Sequence, residues 1–119
     1  MVAGAESVLG LHPNERAAVK DFLARVHTAF GDQAREAMLF GSKARRESTD
    51  YSDIDVLLII ADETWRVKDD ITNISADVSL EYDVLLDVRV IGAARWQYMS
   101  EIRAGLYRQI ERDAFHLAI

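Results

Sequence analysis

The sequence contains no cysteine and has no apolar run longer than the one from Val56 to Ala61. Without thiols, a disulfide framework and a cysteine-ligated zinc site are both excluded. A run this short cannot span a bilayer. The first residues also lack the basic start and long apolar stretch of a secretory signal. We therefore expect a cytoplasmic protein that does not interact with membranes.

Positive charge is also scarce, since the formal net charge is −6 at pH 7. An acidic protein repels the phosphate backbone, which argues against nucleic acid as its principal partner. The basic residues Lys43, Arg45 and Arg46 nevertheless cluster just before the acidic stretch 50–55. We expect Lys43 and Arg46 to be solvated surface charges.

The length of 119 residues fits one domain. Residues 1–11 are small and apolar and indicate a loose N-terminal arm, which leaves 12–119 as a single domain. A helix is expected to follow, with either Asn14 as its N-cap or Pro13 in its first turn, and to end at Gly31.

The remaining pattern predicts three strands separated by helices. In chain order, the predicted elements are a strand at 37–40, a short helix capped by Ser42, a central strand at 53–61, a helix capped by Thr64, a strand at 84–91, and one or two helices at 93–112. Trp65 and Trp96 are expected on helix faces that belong to the core, with the alternative that either one anchors an interface. The fold class is therefore α/β (α+β), a small sheet covered by helices.

A candidate anion site lies where the first predicted strand meets the short helix. Glycine at such a turn lets the backbone approach a ligand closely, and Gly41 occupies that position. The free N–H groups that follow, beginning at Ser42, are suited to phosphate. Arg45 lies one turn further along, where it can contact a phosphate or the departing pyrophosphate.

A candidate metal site begins the central strand. Asp53 and Asp55 are two residues apart, so their side chains project from the same face of the strand. Adjacent carboxylates repel each other unless a cation lies between them. Mg²⁺ suits this pair because it binds one or two carboxylates together with substrate phosphates. The two half-sites together indicate metal-assisted chemistry on a nucleoside triphosphate.

The motif Gly-Ser-Lys-Ala-Arg at 41–45, followed after a short loop by Ser-Asp-Ile-Asp at 52–55, resembles that of the DNA polymerase β-like nucleotidyltransferases. The likeness is strongest to the minimal nucleotidyltransferases, or MNT proteins. It is centred on 38–60 and extends over most of the chain. The resemblance implies a mixed sheet covered by helices, two Mg²⁺ ions held by Asp53 and Asp55, and a triphosphate bound at Gly41 and Ser42.

The resemblance also implies a third acidic residue on the next strand. Asp87 lies inside the predicted strand, whereas Asp83 lies at its entry, where a turn aspartate is common. We select Asp87 as metal ligand or as activator of the attacking hydroxyl. Asp83 is the alternative residue for this role. Asp87 could instead have a purely structural role, as a surface aspartate that pairs with Arg89. Arg46 replaces the glycine usual after the motif arginine.

The function implied is transfer of a nucleoside monophosphate, AMP from ATP, to a hydroxyl acceptor. So short a chain has little material with which to hold a large acceptor, so we expect a partner to supply it. MNT relatives occur with small helical HEPN toxins, which implies an antitoxin that modifies a tyrosine of such a toxin. The alternative is a catalytically degenerate module that acts by docking on its partner. The sequence leaves the oligomeric state open, a homo-oligomer included.

Overall fold

The computed structural model describes residues 2–3, 10–45 and 52–119. The strands are β1 (Val2–Ala3), β2 (Ala34–Phe40), β3 (Ile54–Ile60), β4 (Leu86–Gly92) and β5 (Phe115–Leu117). The helices are α1 (Pro13–Phe30), α2 (Gly41–Arg45), α3 (Trp65–Tyr82), α4 (Ala93–Glu101) and α5 (Gly105–Asp113).

The five strands form one mixed sheet in the order β1-β5-β2-β3-β4. The pairs β1–β5 and β3–β4 are parallel, whereas β2 is antiparallel to both β3 and β5. This architecture confirms the predicted class, a small mixed sheet covered by helices.

Strand β3 lies between two layers of the hydrophobic core, because its alternate side chains face opposite sides of the sheet. Residues 54, 56, 58 and 60 pack with α1 and α3, and residues 57 and 59 pack with α4 and α5. Every residue of β3 except Asp55 is buried. The near-continuous apolar run that predicted a central strand reflects this burial on both faces.

The helix boundaries agree with the sequence pattern in most places. In α1, His12 is the N-cap and Pro13 lies in the first turn, which was one of the two expected arrangements. The Thr64 side chain caps α3 by accepting a hydrogen bond from the backbone N–H of Val67. Ser42, by contrast, lies inside α2 and not at its cap.

Two short strands and one tryptophan depart from the sequence prediction. Strands β1 and β5 were not predicted, because two or three residues carry too little periodicity to be recognised. Trp96 packs against the core, but Trp65 is 74% exposed, so its assignment to the core was wrong. Trp65 is the first residue of α3, and the guanidinium carbon of Arg66 lies 5.5 Å from the centre of its ring. None of the helices in the described ranges is long and apolar enough to cross a bilayer.

Candidate active site

The end of β2 and the starts of β3 and β4 meet at one end of the sheet. Because β2 is antiparallel to β3, the last residue of β2, Phe40, lies opposite Asp55 near the start of β3. Because β3 is parallel to β4, Asp55 in turn lies opposite Asp87. The turn at Gly41 and the starts of β3 and β4 are thereby brought together.

Three carboxylates converge at this end of the sheet. Asp53, Asp55 and Asp87 each offer an oxygen, and these atoms all lie within 4.8 Å of one another. Asp55 is half-buried, while Asp53 and Asp87 are exposed. Such a group of hard oxygen donors, open on one side to solvent, has the composition of a divalent-cation site.

The electrostatics of Asp55 show that its charge is poorly compensated. Burial raises the pKa of the Asp55 carboxyl, and the neighbouring carboxylates of Asp87 and Asp53 raise it further. The guanidinium groups of Arg89 and Arg45 act in the opposite direction but do not cancel these effects. A bound cation would relieve both the repulsion and the cost of burial.

Gly41 lies in direct contact with this carboxylate. Its φ angle is +74°, a left-handed conformation that side chains rarely adopt. A Cβ placed on Gly41 would collide with Oδ2 of Asp55 and lie 3.2 Å from its Cγ. The glycine therefore permits both the turn and the close approach of the turn to Asp55.

Helix α2 is held in place by a buried ion pair. Lys43 is fully buried, and its Nζ lies 2.8 Å from Oε2 of Glu15, which is 5% exposed. The other carboxylate oxygen of Glu15 accepts a hydrogen bond of 2.8 Å from the backbone N–H of His12 at the start of α1. The expectation that Lys43 is a solvated charge was therefore wrong. Its residue type gave no signal of this, because the pairing depends on how α2 packs against α1.

The other predicted phosphate ligands also lie on α2. Ser42 is half-buried, and Arg45 is exposed with its Nη1 3.9 Å from Oδ2 of Asp113 at the end of α5. Arg45 also acts electrostatically on Asp55, so its cation is close to the carboxylates. Arg46, which replaces the usual glycine, lies outside the described residues.

The alternative acidic residue, Asp83, lies elsewhere. It is the C-cap of α3 in a left-handed conformation, with φ 53° and ψ 52°. Asp83 lines a separate cavity of about 360 Å³, together with His12, the N-cap of α1, and Asn14 of α1. The structure thus brings Asp87, and not Asp83, beside Asp53 and Asp55.

Arg89 is a charged neighbour to which the sequence assigned only a structural role, pairing with Asp87. It lies two residues beyond Asp87 on β4, and so on the same face. Its guanidinium carbon lies 6.0 Å from the centre of the Phe40 ring, and no ion pair between Arg89 and Asp87 exists within the described chain. The period of two along β4 was the signal that could have placed Arg89 at the site.

Comparison with known proteins agrees with this arrangement. Residues 19–114 match the family described as nucleotidyltransferase domain. Two proteins of Methanocaldococcus jannaschii, both provisionally named protein adenylyltransferases, are similar to the chain. One is 35% identical over 69 residues, which span 57% of this chain and 70% of the relative. The other is 31% identical over 77 residues, which span 65% of this chain and 73% of the relative.

Two crystal structures share the fold. One is of a toxin–antitoxin with AMP-PNP, with a TM-score of 0.53 and 16% identity, over 81% of this chain and 69% of that one. The other is of a mutant of the toxin–antitoxin MntA-HpeT, with a TM-score of 0.52 and 17% identity, over 83% of this chain and 71% of that one. On the family match and the two relatives, the chain belongs to the nucleotidyltransferase domain family and is a nucleotidyltransferase enzyme.

Proposed function

We propose that this enzyme transfers AMP from ATP, with Mg²⁺, to a hydroxyl group on a partner protein. The observation that carries the proposal is the convergence of three carboxylates within 4.8 Å, directly beside the Gly41 turn. A carboxylate cluster alone is common on protein surfaces. A carboxylate cluster beside a strand-to-helix glycine turn is suited to a metal-bound triphosphate.

The donor set fits two Mg²⁺ ions. Asp53, Asp55 and Asp87 provide hard oxygen ligands, and the raised pKa of Asp55 reflects a charge that lacks compensation. When bound, the cations neutralise charge on the triphosphate and stabilise the attacking and leaving oxygens.

In this proposal the residues of the chain itself perform the remaining tasks. The backbone at Gly41 and Ser42 binds the triphosphate, and Arg45 contacts the departing pyrophosphate. Asp87 accepts the proton of the acceptor hydroxyl. The acceptor oxygen forms a bond to the α-phosphorus while the bond from that phosphorus to the bridging oxygen breaks, so that pyrophosphate leaves. Positioning of the reactants supplies much of the rate enhancement in such a reaction.

The names of the relatives support a protein acceptor. Two relatives are provisionally named protein adenylyltransferases, and two structural neighbours are toxin–antitoxins, one of them with AMP-PNP. We therefore propose that the acceptor is a tyrosine of a HEPN-type toxin, that the modification neutralises the toxin, and that the pair acts in the cytoplasm. The formal charge of −6 supports a protein over an RNA acceptor.

The test is transfer of label from α-labelled ATP to the product of the neighbouring gene, with and without Mg²⁺. Transfer should be abolished by Asp53→Asn and Asp55→Asn. Asp87→Asn should abolish transfer and leave ATP binding nearly intact, because its proposed role is toward the acceptor hydroxyl. Asp83→Asn is the matched control and should leave transfer unchanged, since Asp83 caps α3 away from the cluster.

Two results would contradict the proposal. Loss of transfer in Asp83→Asn but not in Asp87→Asn would show that the third carboxylate is misassigned. A stable complex without any label transfer, unaffected by the changes at Asp53 and Asp55, would instead favour a docking module that has lost catalysis.

A further inference from the structure

Strand β4 forms one outer edge of the sheet, because the strand order ends at β4. The backbone N–H of Ile54 donates to the carbonyl of Leu85, and Asp55 is in register with Asp87. In a parallel ladder, alternate residues bond to the same neighbour. Residues 85, 87, 89 and 91 therefore direct their peptide groups toward β3, and residues 86, 88 and 90 direct theirs outward.

The outward-facing peptide groups of Leu86, the first residue of β4, already form hydrogen bonds with side chains of α3. The Ser75 hydroxyl donates to the Leu86 carbonyl at 2.9 Å, and the Leu86 N–H donates to the Ser79 hydroxyl at 3.2 Å. No such partner exists for the outward peptide groups of Val88 and Val90 within residues 10–45 and 52–119. These two residues leave a length of strand edge with hydrogen-bonding capacity unused.

A groove of about 330 Å³ runs along this edge and gives it room for a ligand. Thr72 of α3 lines one side, and Met99 of α4 and Leu106 of α5 line the other. The floor is the edge of β4 from Val88 to Ile91. The side chains of an added strand could therefore contact α3 on one face and α4 and α5 on the other. Its backbone could form hydrogen bonds with the outward peptide groups of Val88 and Val90.

The charge of the groove selects its occupant. Its charged lining residues are Lys68, Arg89 and Arg95, without a carboxylate among the described ones. Lys68 and Arg95 share Glu63 as an ion-pair partner, whereas Arg89 has no ion pair within the described residues. In a second copy, an antiparallel pairing that used the outward peptide groups of both Val88 and Val90 would be centred on Arg89. It would set two Arg89 side chains opposite each other, and like charges directly opposite are destabilising. The groove therefore favours an acidic segment of a different protein.

We propose that an extended, acidic segment of the partner adds to the edge of β4 and presents its acceptor hydroxyl beside Asp87. The proposal rests on the function proposed above and identifies the class of acceptor segment. Because Asp87 and Arg89 are two residues apart on one face, the segment carries its hydroxyl residue two positions from an acidic residue. Strand addition then sets the position of the hydroxyl, and Arg89 sets the register.

The probe is the peptide Thr-Glu-Val-Tyr-Val-Glu-Thr with blocked ends, which has the required spacing in either strand direction. One control peptide replaces both glutamates with lysine, and a second replaces both valines with proline. NMR titration gives the affinity, and amide hydrogen exchange reports the N–H groups of Val88 and Val90. We expect the acidic peptide to slow amide exchange at both residues. We expect each control peptide to bind at least about tenfold more weakly than the acidic peptide.

Two protein variants isolate the strand-edge contact. Val90→Pro removes an outward N–H and should spare the ladder with β3, because proline is tolerated at such edge positions. Val90→Ala keeps the N–H and serves as the matched control. We expect Val90→Pro to weaken peptide binding about tenfold, and Val90→Ala to weaken it less than about threefold. Binding of ATP with Mg²⁺ should be unchanged in both variants, which also shows that they are folded.

Equal peptide affinity in Val90→Pro and Val90→Ala, or unchanged exchange at Val88 and Val90 with bound peptide, would overturn strand addition. Label transfer to the partner protein separates this failure from failure of the proposed function. Transfer at the wild-type rate by Val90→Pro refutes docking at the edge and leaves the enzyme assignment intact. If the peptide binds at β4 but the protein transfers no label to any acceptor, docking at the edge of β4 is supported and the proposed function is contradicted.

Discussion

The backbone of Gly41 lies against the carboxylate of Asp55, so closely that the glycine has no room for a Cβ. Each residue restricts the other. The left-handed turn at Gly41 leads into α2, and Asp55 is the most buried member of the carboxylate cluster. This contact couples the proposed phosphate-binding half of the site to its proposed metal-binding half.

Replacement of Gly41 by alanine should therefore damage both halves. The added methyl group meets Asp55, and the left-handed backbone adds strain of about 1–2 kcal/mol. Gly31→Ala is the matched control, because Gly31 also has a positive φ, 55°, but has nothing within 4 Å of the added Cβ. We expect both variants to lose stability in urea unfolding, and only Gly41→Ala to lose ATP binding. Equal ATP affinity in the two variants would show that the contact with Asp55 has no functional consequence.

Asp55→Asn should stabilise the metal-free protein. Burial and two neighbouring carboxylates make the Asp55 charge unfavourable, so a neutral side chain of the same shape relieves the repulsion. A gain of about 0.5–1 kcal/mol corresponds to a rise in Tm of roughly 2–4 °C for a domain of this size. Calorimetry in the presence of a chelator checks this. Asp77→Asn, which changes an exposed carboxylate on α3, is the control and should leave Tm nearly unchanged.

The buried pair Lys43–Glu15 should dominate the attachment of α2 to α1. Lys43→Met leaves the Glu15 carboxylate buried without its cation and should destabilise the protein by about 3–5 kcal/mol. Combining Lys43→Met with Glu15→Gln removes the uncompensated charge and should recover part of that loss. Denaturant unfolding of the two single variants and the double variant measures the coupling. Additive losses would mean that the two side chains do not stabilise each other.

Glu63 should make stability depend on pH in the acid range. Burial raises the pKa of the Glu63 carboxyl, but hydrogen bonds from Lys68, Gly92 and Arg95 outweigh it and lower the pKa to about 2. A lowered folded-state pKa means that the stabilisation is complete above the unfolded value of 4.5 and is lost as pH falls toward 2. After allowance for solvent screening, the contribution is about 1–2 kcal/mol.

Glu63→Gln should therefore be less stable than the wild type at neutral pH, with the difference shrinking below pH 4.5 and vanishing near pH 2. Glu101→Gln, on the exposed face of α4, is the control and should show no such dependence. Chemical unfolding of all three proteins across this pH range is the measurement. A difference that stays constant with pH would assign the effect of Glu63 to packing instead of charge.

Elements whose signals lie within a short stretch of residues could be predicted without the structure. The helical period of α1, the apolar run of β3 and the cap at Thr64 are each encoded within a few residues. The spacing of Asp53 and Asp55 on one face of an extended segment is local in the same sense. These features follow from backbone geometry, so a single stretch of sequence is sufficient to predict them.

Relationships that join distant segments of the chain became visible only in the folded protein. Asp87 lies beside Asp53 and Asp55, and Asp83 does not, because Asp83 ends α3 before β4 begins and the register of β4 against β3 sets Asp87 opposite Asp55. The burial of Lys43 depended on how α2 meets Glu15 of α1, and the free edge of β4 depended on the strand order. Packing and strand pairing between distant parts of the chain set these features, so no local pattern of residues could specify them.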